Sequence, residues 1–581
     1  MRPSLATFAL VAVTSSLPVC RAAFAQQPAP PAPAPAPTPT PAPVPTPPPA
    51  APPAAATPPA APPTAPAGGS LDLTTLRELL DRGVISQMEY DAAMRDIAPS
   101  TGEQRAGEAT SLAFGKWATT IYGFIEGDFI YDNTQSFNDL AGNALVARPN
   151  GQAPPQNPNQ PNIQQTYAGS NGQTQFSIRN TRFGFRLKPP AVGEIRTSAM
   201  LEMDFLGTQT IGSGTGQVTE NAFFTSPVAR IRHAMFRIET PVVDFLIGQY
   251  WDLFGWQNLY HPNTVEIQGL PGELYSRNPQ IRISKTIHAH PITLELAIAA
   301  KRPPSRGSEA PEGEGGVRLA VDDWTGMQTM GATATSIMPA SIALTGDYRR
   351  FEVPAADSLV PTKTVTTTST SVAADAFLPV LPASKDKRDN ALSLTGEIAY
   401  GAGISDLYTG LTGGVVFPAI PNNTGLAAAP AWPQNIDNGL VNYDITGFAL
   451  HPIQWTTYIV GLQYYLPALG GKVWVSANYS HTQSRDTSLL GNYSATSDFA
   501  RVGTGVPGGA GVNAAIDPNR YYYPNSTAQV RAGEDWWDVN LFYDPLPSVR
   551  LGAEFAEFLD HYVDGFTATN LRGQVSGYFL F

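Results

Sequence analysis

Apolar and polar residues change places at every second position along much of this chain, and the pattern is cleanest over 176–205. Phe183, Phe185 and Leu187 alternate there with Arg182, Gly184, Arg186 and Lys188. After the turn LysProProAlaValGlyGlu, Ile195, Thr197, Ala199, Leu201, Met203 and Phe205 alternate with Arg196, Ser198, Glu202 and Asp204. Side chains point to opposite faces along a strand, so this is a hairpin with one oily and one charged face. In a soluble sandwich few walls carry charges this dense. Lipid on one side and water on the other accounts for the pattern better.

The same alternation recurs to the end of the chain. Ile121, Gly123, Ile125, Phe129 and Tyr131 alternate with Glu126, Asp128 and Asp132 from a start at Thr119. At 228–239 the phase breaks: Arg230 and Arg232 share one side, His233 and Arg237 the other, which predicts a bulge. Phe245 and Ile247, then Ile281, Ile283 and Ile287, mark the next strands, followed by 294–300, 329–337, 342–351, 364–377 and 392–400. Near the end, Tyr458 to Leu466, Val473 to Tyr479, Trp537 to Tyr543 and Val549 to Phe555 are clear, and Val575, Phe579 and Phe581 close in one phase. Short turns such as ThrProValValAsp and HisAlaHisPro join strands at one end, and long loops join them at the other. The count is about sixteen, even as bacterial barrels require. The fold class expected is all-β, a sixteen-stranded antiparallel transmembrane β-barrel with a short N-terminal helical segment.

The segments before the barrel fix its compartment. Residues 1–25 read as a secretory signal: Arg2, an apolar stretch from Leu5 to Val13, and Ala23-Phe24-Ala25 as the cleavage site. The single cysteine, Cys20, falls inside it, and Val19 is too bulky for a lipidation site, so the mature chain has neither disulfide nor thiol chemistry. Residues 26–68 form a Pro/Ala-rich spacer, semi-rigid at about 3 Å per residue and on the order of 100 Å long when extended. Over 69–98, Leu76, Leu79 and Leu80 sit at helical spacing, Gly83 interrupts, and Ser86 with Glu89 caps a second helix. A pair this short must pack on copies of itself, on the barrel or on a periplasmic partner. A linker over 99–118 leads to the barrel at 119–581.

Composition agrees. The chain has 22 Tyr and 26 Phe, a mean hydropathy of -0.13, and after the signal no apolar run of the ~20 residues that a spanning helix needs. A net charge of -12 argues against nucleic acid as a partner.

A closing phenylalanine on an aromatic strand resembles the assembly signal of bacterial outer-membrane barrels, carried here by Phe579 and Phe581. Further motifs are TyrGlyPheIleGluGlyAspPheIleTyrAsp, PheSerIleArgAsnThrArgPheGlyPhe, ArgIleArgHisAla, IleGlyGlnTyrTrp and ArgAsnProGlnIleArgIleSer, spanning 122–284. Together with the N-terminal helical segment they resemble the DcaP-like family of trimeric outer-membrane porins. The resemblance implies a homotrimer in the outer membrane of a Gram-negative bacterium, among lipid and lipopolysaccharide, inserted by the barrel assembly machinery. The N-terminal arm would lie in the periplasm, within reach of peptidoglycan. Two departures stand out: a broken helix pair behind a long spacer instead of one coiled coil, and enlarged loops at 133–174 and 410–453.

Function follows from the lumen. Arg179, Arg182, Arg186, Lys188, Arg196, Arg230, Arg232 and Arg282 cluster in the first six strands, with Arg179 out of phase with Arg182. Guanidinium forks suit carboxylates, and basic rings make anion-selective pores. Glu126, Asp128, Glu202 and Asp204 are expected opposite them, setting a field across the lumen that would orient small anionic, dicarboxylate-like solutes. The alternative is a wall whose charges only pair with one another. The remaining acid, Glu309, Glu312, Glu314, Asp322 and Asp323, is read as loop. The aromatic segment 253–278 is expected to fold inward as the constriction; the competing reading is an extracellular loop on a neighbouring subunit.

Signals for enzymatic chemistry are poor. Gly503-Thr-Gly-Val-Pro-Gly508 has a proline inside and no helix after it, so it makes no dinucleotide site. His288 and His290 share a face but sit beside Pro291 at a turn, which favours an exposed rim over a metal pair. No cofactor or metal is expected and the chain is read as not an enzyme. A barrel-embedded hydrolase and a structural tether to the cell wall are the rival classes.

Overall fold

The computed structural model describes residues 111–114, 117–152, 163–165, 167–208, 220–331, 333, 335–354, 363–383, 388–411, 439–443, 449–487, 531–562 and 565–581. The signal, the spacer, the helix pair and the Gly503–Gly508 match lie outside them.

The described residues form a closed antiparallel barrel of 16 strands. The first, β1 (Trp117–Asp132), is followed by β2, which runs in two pieces, Gln173–Ser177 and Arg182–Lys188. Then come β3 (Arg196–Gly207), β4 (Val228–Glu239), β5 (Asp244–Trp251), β6 (Arg277–Ala289), β7 (Ile292–Lys301) and β8 (Glu312–Gln328). The second half is β9 (Ser336–Pro354), β10 (Thr364–Leu381), β11 (Ala391–Ala402), β12 (Gln454–Tyr465), β13 (Val473–Gln483), β14 (Arg531–Leu546), β15 (Val549–Tyr562) and β16 (Thr567–Leu580). Each strand pairs with the next, and β16 returns to β1 through the register Phe124↔Leu580 to Asp132↔Arg572. A short strand, Ser111–Phe114, extends that seam by pairing with Trp117–Thr120.

The alternation read from the sequence is the wall itself. Along β16 exposed or half-exposed positions alternate with buried ones, and Val575 and Phe579 face outward with Ile125, Phe129, Leu541, Leu551 and Phe555. The apolar surface that a soluble protein would hide is therefore outside, where lipid covers it. Charge is inside: Arg232, Arg349, Arg531, Arg550 and Arg572 are among the largest fully buried side chains.

The bulge expected in β4 is present. The partners of Glu202 and Met203 are His233 and Ile231, so Arg232 is the extra residue and both Arg232 and His233 turn inward. The eighth strand differs from the sequence reading. Of the expected strand 329–337, the described residues 329–331, 333 and 335 lie in the turn between β8 and β9, and 336–337 open β9; β8 itself is Glu312–Gln328. Its GluGlyGluGlyGly start resembles a loop by composition; in a barrel, glycines at outward positions and carboxylates at inward ones are compatible with a strand. Glu312, Glu314, Asp322 and Asp323 are thus wall residues, and only Glu309 is in a loop.

At the seam the Phe581 N–H donates to Gly123 O at 3.0 Å, and the Gly123 N–H donates back to Phe581 O at 2.9 Å. Deleting Phe581 removes both bonds from the strand that closes the barrel. The expected outcome is a lower yield of folded, heat-modifiable protein, read as the unheated band on a denaturing gel.

Candidate functional site: an off-centre passage

The segment between β5 and β6 leaves the wall at Asp252 and returns at Ser276, where the Asp252 N–H donates to Ser276 O at 3.2 Å. Almost every residue between is buried, so this stretch lies in the lumen, as expected for 253–278. Its apolar residues settle on one side. Leu253, Trp256, Leu259 and Tyr260 pack against Ala297, Ala299, Met338, Ala343 and Phe377 of β7, β9 and β10. Phe254 and Leu274 pack with Ile404, Leu407, Tyr408 and Trp455.

Polar groups of the wall then hold its main chain. Glu314 accepts from Leu253 N at 2.9 Å, Thr345 from Gly255 N at 2.9 Å, and Glu397 from Leu274 N at 2.9 Å. Asn540 accepts from Val265 N at 2.8 Å and Glu554 from Glu266 N at 2.6 Å. Asn478 donates to Asn263 O at 2.8 Å. A buried main-chain group without a partner is costly, so these wall side chains set the loop's course.

A cleft remains on the other side. It is lined by the inner faces of β1 to β5 and β16, the loop residues from Asn258 to Tyr275, and the turn after β8. Arg182 and Arg186 of β2 line it, beside Tyr122, Glu202 and His233. Tyr122 reaches its place because Gly184, opposite it on β2, has no side chain: a Cβ there would stand 2.6 Å from the Tyr122 ring. The phenol then donates to Glu202 Oε2 at 3.0 Å, and the Arg186 guanidinium lies 4.3 Å from its ring centroid.

The basic residues named from sequence have different fates. Arg186 has no carboxylate within ion-pair distance among the described residues, and Arg182 reaches Glu202 only at 3.7 Å. Arg230 is paired with Asp204 at 2.6 Å; Arg232 spans Glu202 at 2.8 Å and Asp204 at 3.1 Å and donates to the Tyr275 hydroxyl at 3.0 Å. Arg282 is buried and donates to Gln280 Oε1 and Trp251 O. Arg179 sits in the break between the two pieces of β2, ion-paired with Asp139 at 2.6 Å and stacked 3.9 Å from the Phe223 ring centroid. That break explains its phase. Lys188 and Arg196 are exposed at the short-turn end, outside the cleft lining, because β2 and β3 reach the rim there.

The carboxylates also depart from the expected arrangement. Glu202 and Asp204 do not face the arginines across the lumen; they lie on the same wall, with Asp204 in register with Arg182 on one side and Arg230 on the other. Glu126 stands on the neighbouring strand β1, where it accepts from Asn180 at 2.7 Å, and Glu266 lines the cleft from the loop and meets Arg572 at 3.3 Å. Asp128 lies deeper, held by Ser576 at 2.5 Å and Gln574 at 3.1 Å.

Two further residues were not named as site residues from the sequence. Arg277, beside the cleft, is stacked 4.8 Å from Trp251 and 5.0 Å from Tyr275, and His261, in the cleft lining, donates from Nδ1 to Glu273 Oε1 at 2.7 Å. Arg277 opens β6 in phase with the outward Ile281, so the strand's alternation does not foretell its stacking on Trp251 and Tyr275. His261 is placed only by the loop's course. His288 and His290 are exposed, His288 against Thr293 at 3.0 Å and His290 against Asp323 at 3.4 Å, in keeping with a rim.

A closed sixteen-stranded barrel with an inward-folded loop between its fifth and sixth strands is the architecture of porins. Among solved structures the chain is similar to the outer membrane channel DcaP of Acinetobacter baumannii, at 16% identity and a TM-score of 0.51, covering 81% of this chain and 100% of that one. Fainter likenesses are to the anion-selective porin from Comamonas acidovorans, at 9% identity, 80% and 100% coverage and TM-score 0.40, and to OmpT of Vibrio cholerae, at 9%, 81% and 100%, and 0.38. The first shares the fold; the other two are too slight to support more. No family model matches the chain and no curated protein is similar to it.

The Arg572 guanidinium joins Asp132, at 2.9 Å and 3.0 Å, to Glu266 of the loop. Arg572→Met leaves both acids buried without their cation, and breaking such a pair costs about 3–5 kcal/mol. The expected outcome is a marked fall in the unfolding temperature in detergent, with a noisier single-channel current as the loop loosens.

Proposed function

We propose that this chain is a porin of the outer membrane of a Gram-negative bacterium, through which small anionic, dicarboxylate-like solutes diffuse passively. One observation carries the reading. On the wall from β2 to the start of β6, Arg182, Arg186, Arg230, Arg232 and Arg277 meet only two carboxylates, Glu202 and Asp204, among the described residues. The surplus lies beside the cleft, where low-dielectric walls concentrate its field. Glu266, on the loop side of the cleft, gives that surplus a transverse direction, and Glu126 borders it on β1. A carboxylate would approach Arg182 and Arg186, whose planar forks match it. In the same proposal the porin is a homotrimer surrounded by lipopolysaccharide and lipid, its N-terminal arm is periplasmic with peptidoglycan within reach, and the barrel assembly machinery recognises Phe579 and Phe581.

The test is a planar bilayer. Arg182→Ala with Arg186→Ala is expected to shift the reversal potential toward cations and to slow dicarboxylate uptake, while neutral sugars permeate much as before. Lysine at both positions retains bulk selectivity and loses part of the carboxylate affinity. Rising salt weakens the effect as the Debye length shortens to about 3 Å at 1 M. Unchanged reversal potential and uptake in the double alanine variant would make these arginines structural.

A further inference from the structure

Near the long-loop end of β7 to β9 the inner wall holds more acid than its cations match. Glu312 and Glu314 are two residues apart on the inner face of β8, and Asp347 of β9 stands directly opposite Glu314 in the register. Like charges in that relation repel. Asp252, the first residue of the inward loop, joins them through Lys301, whose Nζ lies 3.0 Å from Asp252, 2.7 Å from Glu312 and 2.7 Å from Glu314. Arg349 reaches Glu312 at 3.1 Å but is committed to Asp406 at 2.6 Å. Five carboxylates thus share two directly bonded cations.

Their oxygens are also short of donors. Neither oxygen of Asp347, a residue only 3% exposed, accepts a hydrogen bond, and its ion contact is Arg349 Nε at 3.7 Å. Oδ1 of Asp252 likewise lacks a donor, whereas Glu312 Oε1 and Glu314 Oε1 share the one Lys301 ammonium and Glu312 Oε2 meets only Arg349. Glu312, Glu314 and Asp347 each present an oxygen within 4.8 Å of the other two. Buried carboxylates normally satisfy their lone pairs, because leaving them bare costs several kcal/mol.

We propose that Glu312, Glu314 and Asp347 form a binding site for a hard divalent cation, with Ca2+ the best match. The donor set is all oxygen, anionic and free of sulfur and imidazole, which selects Ca2+ over transition metals. Lys301 alone cannot serve the site: its single charge and three donors are divided among Asp252, Glu312 and Glu314, and Asp347 is left out. A cation here binds at the loop's root, since Glu314 Oε2 also accepts from Leu253 N. It therefore fastens the constriction loop to the wall. The site lies outside the cleft lining and stands independently of which solute the pore admits.

Trp256 provides a probe. Its ring lies over Gly316, one inward position along from Glu314, so close that a Cβ on Gly316 would meet it at 2.8 Å. The mature full-length chain, refolded in detergent free of lipopolysaccharide and stripped with EDTA, is titrated with Tb3+ under tryptophan excitation and then with Ca2+. The expected result is sensitised emission with one ion per chain, displaced by Ca2+, and a higher unfolding temperature in Ca2+ than in EDTA. Asp347→Asn and Glu312→Gln are each expected to weaken binding about tenfold or more and to abolish the Ca2+ shift; Trp256→Phe is expected to keep the shift and lose most of the emission. Lys301→Met, which removes the competing ammonium, is expected to tighten binding and keeps the test decisive if an acid variant does not fold. The proposal is overturned if the stripped wild type shows neither emission nor thermal shift. It is equally overturned if binding survives undiminished in Asp347→Asn or Glu312→Gln, which would place the ion elsewhere.

Discussion

A wall that faces lipid cannot leave main-chain donors and acceptors open, and every other feature of this barrel depends on that demand being met at the seam. Strand β16 pairs with β1 over nine residues of register, Phe581 adds a reciprocal pair with Gly123, and Ser111–Phe114 continues the ladder. Once closed, the sheet fixes which side chains point inward. Inward positions can then carry arginine and carboxylate at high density, because most are answered from a neighbouring strand.

The lumen is divided by the same logic. The loop between β5 and β6 has a main chain that must be satisfied and an apolar side that must be covered. The walls of β7 to β15 supply both, through residues such as Thr345, Glu397 and Asn540 for the main chain and Ala299, Phe377 and Trp455 for the apolar side. The rest of the lumen is left to the cleft over β1 to β5. The loop's apolar anchorage and the cleft thus lie on different arcs of one sheet, with Arg572 of β16 tying the loop to the cleft side.

Much of this was legible in the sequence. Period-two alternation marks the strands, and the out-of-phase arginines of β4 mark a bulge that in fact turns both Arg232 and His233 inward. The inward loop was legible from its aromatics and turn formers. Partnership was not: sequence places Glu202 and Asp204 on an inner face, but only register shows that they sit between Arg182, Arg230 and Arg232 and offset part of their charge. Arg179 hid in a strand break, and Lys188 and Arg196 ran past the end of the wall. Glu312 and Glu314 read as loop because charge beside glycine usually is; inside a barrel the rule inverts.

The glycine at 184 has a consequence of its own. Its missing side chain lets Tyr122 lie across β2, and that ring is what Arg186 rests on and Glu202 accepts from. The arrangement works as a shim: one hydrogen atom on the wall sets the height of a phenol, which in turn sets the tilt of a guanidinium. Width and charge at the cleft are therefore not independent variables. Any methyl group at 184 would change both at once, so a lineage can retune this passage through a position that bears neither charge nor polar atom.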